Sequence, residues 1–316
     1  MTDLAPAIRD AARRLLTDGL VDVVIGFEAG TLPLRSSPCF VRDAADVDRL
    51  VWNMSCENNL AKYLPRRRER VGIIAKGCDT RSIVGLLREG QVERERLHII
   101  GVSCRGVIDR RRIEIELAGR EATDAQEGEG EVVVRGDGFE IALETERYLH
   151  ASCRACRSHN PVIYDTLIGD PVAEDVAADE YAAVREFEAM PPGERWQFFM
   201  AQASRCIRCY ACRNVCPLCY CAECFVDSTQ PRWLSPSTDA TDALVFQIMR
   251  VMHTAGRCVD CGACERACPV GLDLRLLTKK VEWDVEQLFH YKAGLDVREP
   301  TPLSTFSLDD PGDFIR

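Results

Sequence analysis

Cys206, Cys209, Cys212 and Cys216 are spaced C-x2-C-x2-C-x3-C and followed by Pro217; Cys258, Cys261, Cys264 and Cys268 repeat that spacing before Pro269. Three thiolates at i, i+3 and i+6 on a tightly wound loop converge on three corners of one [4Fe–4S] cubane. The fourth lies beyond a proline-ended turn and must point elsewhere; in paired runs of this kind it ligates the other cluster. The spacing therefore assigns Cys206, Cys209, Cys212 and Cys268 to one cluster and Cys258, Cys261, Cys264 and Cys216 to a second. Paired zinc sites are the alternative, but they usually take two CxxC units per metal rather than a triplet with a terminal proline.

Other thiols fall outside these runs. Cys219, Cys221 and Cys224 follow directly in "CPLCYCAEC" and form a compact triplet, a candidate additional metal site holding a further cluster or zinc. Its fourth ligand would be Cys39, Cys56 or a non-cysteine group. Cys153 and Cys156 make a lone CxxC that nothing adjacent completes, and no thioredoxin-like context surrounds it. Cys78 and Cys104 each close an apolar run. The five histidines, at 98, 150, 159, 253 and 290, form no paired metal motif; His159, three residues after Cys156, is placed to tune a neighbouring cluster by hydrogen bonding.

These residues must be positioned by two kinds of scaffold. The first 150 residues read as α/β. An amphipathic helix opens the chain, a strand "VDVVIGFEAG" follows, and a helix is expected over "DVDRLVWNMSCENNLAKYL". The runs "VGIIAKGCD" and "LHIIGVSCRG" flank an amphipathic helix capped by Thr80 or Asp79, which predicts a βαβ unit in a parallel sheet. Sites in such sheets form beyond the carboxyl ends of the strands, where Cys78 and Cys104 fall. Residues 110–148 alternate apolar and polar, predicting a small β-meander that includes "RRIEIELAG", with the acidic stretch "REATDAQEGEGE" as its loop. Helix patterns return at "MPPGERWQFFM", at "TDALVFQIMRVMHTAGRC" between the two runs, and at "LDLRLLTKKVEWDVEQLF" after them. The class is α+β multidomain: an α/β domain over 1–170, a helical linker over 171–200, a mainly α-helical dicluster ferredoxin domain over 201–290, and an extended tail over 291–316.

Composition narrows the partners. The chain has 316 residues, 17 cysteines and a net charge of −10, with a pI of about 5.2 and mean hydropathy −0.15. That balance argues against nucleic acid held through phosphates and against a basic membrane-binding patch. The arginines in "YLPRRRER" are a local basic run, a solvated face or a docking surface for an acidic partner. No apolar leader and no membrane-length run is present, so a cytoplasmic location is expected. In a reducing compartment this many cysteines means metal ligation rather than disulfides.

Two resemblances sharpen the reading. The two motifs with their intervening helices, over about 200–290, resemble the α-helical ferredoxin modules of heterodisulfide-reductase-type and succinate-dehydrogenase-type subunits. A cysteine ending one strand, a cysteine ending the next, then CxxC followed by aspartate and "IGD" resembles the beta subunits of deazaflavin-reducing hydrogenases and formate dehydrogenases. Carried over, this second resemblance implies a third [4Fe–4S] cluster at Cys78, Cys104, Cys153 and Cys156. Those beta subunits carry a glycine-rich segment that seats a flavin; here "VIGFEAGTLPLRS" lacks the successive glycines, and no GxGxxG occurs. The expected function is an iron–sulfur electron-transfer subunit of a multisubunit oxidoreductase, linking a catalytic subunit to an acceptor. A flavin (FAD) enzyme that reduces a deazaflavin and a zinc-bound cysteine-rich interaction module are the alternatives.

Overall fold

The structure, a computed structural model, describes residues 3–174 and 179–304, apart from the side chain of Leu303. The described residues of 1–81 and 90–178 group into one compact unit, and those of 82–89 and 179–316 into a second.

The first unit is built on a mixed sheet. Strands run in the order Ser36–Val41, Val23–Ala29, Val71–Ala75, Leu97–Val102, Thr166–Ile168, with the short strand Leu50–Val51 also paired to Val23–Ala29. The last four of the five are mutually parallel, and the helix Gly77–Arg88 makes the crossover between Val71–Ala75 and Leu97–Val102. The expected βαβ unit is there. Continuous apolar runs suit strands covered on both faces, and all five residues of Val71–Ala75 are buried. The helix Ala5–Thr17 turns Ile8, Ala11, Ala12 and Leu15 onto a core shared with Val24, Val41, Ile74 and Ile100.

A three-stranded antiparallel meander, Ala122–Glu127, Glu131–Gly136 and Phe139–Glu144, forms a second small core with Ile113, Leu117 and Tyr148. Here the sequence reading needs correction. "RRIEIEL" is no strand: Arg110–Leu117 is a helix whose N-cap Asp109 accepts a hydrogen bond from the Arg111 amide. Ile113 and Leu117, four apart, are buried, while Ile115 between them is 78% exposed; the period is helical. The acidic stretch is itself the first strand of the meander, and only Gly128–Gly130 forms the turn.

The helix expected over residues 46–64 is also absent. Two 3-10 turns, Ala44–Arg49 and Leu60–Tyr63, flank irregular chain in which Asn53 and Asn59 bind backbone amides through their side chains. Such local bonding competes with helix formation. Helix Gly77–Arg88 begins before Asp79 and Thr80, so neither is its N-cap. Asp79 instead accepts bonds from the Lys76 and Leu60 amides at 2.9 and 3.1 Å.

The second unit is helical. Pro192–Arg205 starts at the proline pair, Ala240–His253 is capped by Asp239 and Leu274–Phe289 by Asp273. Between them lie two short helices, Ala211–Val215 and Ala263–Arg266, one in each cysteine run. Segment 82–89 belongs here: Glu89 pairs with Arg257 and accepts the Tyr220 hydroxyl at 2.6 Å. Arg88 reaches the Tyr291 hydroxyl and Thr301, each at 2.6 Å. Most of the expected tail, 305–316, lies outside the described residues.

Candidate metal centres

The two cysteine runs share one backbone device. In the first, Arg208 and Tyr210 flank Cys209 with φ of 50° and 60°; in the second, Asp260 and Gly262 flank Cys261 with φ of 53° and 69°. Left-handed residues on either side of the middle cysteine wind each loop tightly enough to turn three thiols inward. Three of these four are not glycine, and side chains rarely adopt that conformation unless their surroundings hold it. The surroundings do so. Arg208 donates to the Ser237 carbonyl at 2.6 Å and to the Tyr210 hydroxyl at 2.8 Å. Asp260 is gripped by Arg275 at 2.7 and 2.8 Å and by Lys279 at 3.1 Å.

Cys206, Cys209, Cys212 and Cys268 line a single partly open pocket, together with Tyr210, Phe246, Gln247, Leu272 and Leu274. The last cysteine of the second run thus shares one pocket with three cysteines of the first. The wall is apolar apart from a few directed donors. The Leu272 amide points at Cys268 Sγ at 3.4 Å, and Gln247 Nε2 at Cys206 Sγ at 3.5 Å. Cys209 alone of the four is exposed.

Cys258, Cys261, Cys264 and Cys216 act on one another electrostatically. As free thiols they are all pushed up: Cys261 to about 12, by burial first and then by Cys216, and Cys264 by burial and then by Cys216 despite Arg250. Cys258 rises through burial, then through Glu282 and Asp260. Crowded, half-buried thiols resist ionisation, and a cationic metal core is what relieves it. Cys216 also meets Cys219, which places that member of the triplet beside this set.

Two residues that spacing alone did not single out lie beside these thiols. Gln247 and Arg250 fall on the buried face of Ala240–His253 with Ala243, Phe246 and Val251. Arg250 is 3% exposed, and its Nη2 has no hydrogen-bond partner among the described residues. An orphaned, buried cation beside thiols fits a site that carries negative charge. The signal for it was positional: a helical wheel puts the arginine on the apolar face.

In the first unit, Cys104 lies near Cys153 and Cys156, with Cys78 in the first turn of its helix, three residues beyond the strand end at Ala75. Burial pushes the Cys104 thiol up to about 12, Cys153 adds to this and Lys76 opposes it. Lys76, another residue missed, is buried inside an otherwise apolar run. It pairs with Asp79 at 3.1 Å, lies 4.7 Å from the Phe27 ring centre and faces Cys78 and Cys104. His159 holds Cys104 twice: its carbonyl accepts the Cys104 amide and its Nδ1 meets the Cys104 carbonyl, both at 2.9 Å. It therefore touches the backbone of that cysteine rather than its sulfur. Sulfur acceptors are served by amides instead, Gly106 to Cys104 at 3.4 Å and Ser158 to Cys156 at 3.3 Å.

Gly77 is what lets these strands of chain meet. A Cβ there would lie 2.0 Å from the Ser158 carbonyl oxygen and 2.8 Å from that of Asn160. Gly77→Ala must displace backbone, so it is expected to cost about 1–3 kcal/mol and to loosen Cys156 from Cys78. Thermal unfolding, together with accessibility of Cys156 to a thiol reagent, measures both.

The remaining cysteines differ in kind. Cys39 sits in the strand Ser36–Val41 opposite Gly26 and Cys56 beside Asn53; burial pushes each up to about 11, as inert neutral thiols. Cys221 is exposed, while Cys224 meets Arg213. Among the described residues, no three of His, Cys, Asp and Glu are gathered around a point suited to a single metal ion. The glycines of "VIGFEAG" serve the sheet: Gly26 packs under Ile74 and Leu50, and Gly30 closes a turn onto Arg35. The basic run is neutralised in part, Arg67 by Glu69 and Arg70 by Asp22.

Residues 202–272 match the 4Fe-4S dicluster domain family. The chain is 22% identical to the F420-dependent formate dehydrogenase subunit beta of Methanocaldococcus jannaschii, over 92% of both chains. It is 23% identical to the F420-dependent formate dehydrogenase 1 subunit beta of Methanococcus maripaludis, over 94% of this chain and 92% of that one. A chain of the F420-reducing [NiFe] hydrogenase complex from Methanosarcina barkeri is a partial structural likeness, at 15% identity and a TM-score of 0.37 over 48% of this chain and 59% of its own. A dicluster domain in such a chain fits an electron-transfer subunit. No helix among the described residues is long and apolar enough to cross a membrane.

Proposed function

We propose that this chain relays single electrons within a cytoplasmic formate-dehydrogenase-like complex, between a catalytic subunit and an acceptor. The observation that carries the reading is the cavity lined by Cys206, Cys209, Cys212 and Cys268, four thiols brought from two runs onto one apolar pocket. Bound there, and at Cys258, Cys261, Cys264 and Cys216, [4Fe–4S] clusters supply one-electron redox chemistry. The protein's own part is to exclude water, aim amides at sulfur and fix the spacing between sites. A third cluster at Cys78, Cys104, Cys153 and Cys156 extends the relay into the α/β domain. Its support is the meeting of Cys104 with the CxxC and the position of Lys76 facing both Cys78 and Cys104.

Anaerobically purified protein is expected to carry about twelve iron and twelve acid-labile sulfide atoms per chain, the content of three cubanes. Zinc in place of iron sinks the proposal. A second reading draws on the names of the relatives, which mark F420-dependent enzymes: the α/β domain binds FAD and reduces a deazaflavin. Flavin absorption released on denaturation supports it, and its absence from the native complex removes it.

The triplet Cys219, Cys221 and Cys224 carries a smaller proposal, an additional metal site next to the second ligand set. Cys221→Ser is expected to lower metal content; unchanged iron, zinc and spectra overturn this reading.

A further inference from the structure

Arg250 is buried on the inner face of its helix and pairs with no carboxylate among the described residues. Its Nε donates to Gln247 Oε1 at 3.3 Å, and Gln247 Nε2 in turn donates to Cys206 Sγ at 3.5 Å. The titratable groups that bear on it most are Cys264, Cys212, Cys216 and Cys258, drawn from both ligand sets. Burying a lone guanidinium is costly unless opposite charge offsets it. Among the described residues the groups that bear on it most strongly are these thiols, which supply that charge as metal-bound thiolates.

We propose that Arg250 is a shared positioning charge that raises the reduction potentials of both iron–sulfur sites of the helical unit together. This rests on the reading of those two sites as [4Fe–4S] clusters. Each cluster takes up one electron from a reductant, dithionite in the test and a reduced flavin or cluster of a partner in the complex. No proton moves, since the guanidinium stays charged in both states. The site becomes one unit more negative, and a fixed buried cation stabilises the reduced form over the oxidised one. Because the same cation faces both sets, the two potentials move as a pair. Gln247 extends the effect toward Cys206 by a hydrogen bond to sulfur, a recognised lever on cluster potential.

The test is a dithionite titration with redox mediators of the reconstituted full-length chain, followed by electron paramagnetic resonance. In Arg250→Met, the ratio of reduced to oxidised cluster at fixed potential is expected to fall about tenfold at each helical-unit site, a shift of about 59 mV for a one-electron couple. Arg250→Lys, which keeps the charge, is expected to hold both potentials near the parent values. Gln247→Leu is expected to lower only the site that contains Cys206. Wild-type iron content in Arg250→Met with either potential unmoved overturns the proposal, as does an equal shift in Arg250→Lys, which would mark a packing role. Should Arg250→Met lose iron, Arg250→Gln is titrated in its place under the same criteria. Absence of iron and sulfide from the parent chain would instead sink the underlying reading of the sites.

Discussion

A Cys268→Ala chain, purified without oxygen, is expected to hold about four iron atoms fewer than the parent and to lose the signal of the site built on the first run. The cavity shows why: Cys268 lines it beside Cys206, Cys209 and Cys212, although it lies in the other run. Double variants make the test independent of spectral assignment. Cys206→Ala combined with Cys268→Ala should lose no more iron than either alone, because both empty the same site. Cys258→Ala combined with Cys268→Ala should lose about eight atoms, one cubane from each site. The reverse pattern, additive with Cys206 and non-additive with Cys258, would show that each run serves its own cluster.

The second large effect concerns the ion network behind the Cys258 run. Lys279 Nζ lies 2.8 Å from Glu180, 3.1 Å from Asp260 and 3.2 Å from Glu282, and its side chain is 4% exposed. Lys279→Met leaves buried carboxylates short of a partner, which costs about 3–5 kcal/mol. It also releases Asp260 from one of the two grips that hold its left-handed backbone. The unfolding temperature should drop by about 10 °C or more, and the second cluster should be lost faster on exposure to chelator. Lys279→Arg should recover most of both.

The same network has a pH signature. Burial pushes the Glu180 carboxyl up, but its bonds to Lys279 and Lys292 outweigh that and hold it below its ordinary value of 4.5. A carboxyl depressed in the folded state contributes stability above its unfolded value, and the contribution is lost as pH falls through the folded value. In Lys279→Met the folded Glu180 carboxyl is less depressed, so that loss is smaller and is complete at a higher pH. Thermal unfolding of both chains across the acid range reads the difference, and superimposable acid limbs would count against the role given to Lys279.

The cysteine runs were legible because their information is local: ligand spacing, a terminal proline and flanking helix patterns fix the site almost without reference to the rest of the chain. The βαβ unit was legible for a similar reason, since continuous apolar strands around an amphipathic helix admit few arrangements. "RRIEIEL" was not. Its alternation imitates a strand, and only packing of Ile113 and Leu117 under the meander selects the helix. Residues 46–64 carried apolar spacing without helical backbone, because asparagine side chains captured the amides. Lys76 and Arg250 were overlooked for the opposite reason: a cation in an apolar pattern is usually a solvated exception, and its burial becomes visible only when the thiols that surround it are in place.

The exchange of Cys268 into the pocket of the first run also bears on how the protein is made. A growing chain that has released Cys206, Cys209 and Cys212 offers only three corners of that pocket, and the fourth must wait for the whole of Ala240–His253 and the second loop to emerge. With the proposed ligand set, loading of metal is deferred until synthesis of this unit is nearly finished. A nascent chain stalled before Cys268 can present open thiols but cannot close the pocket.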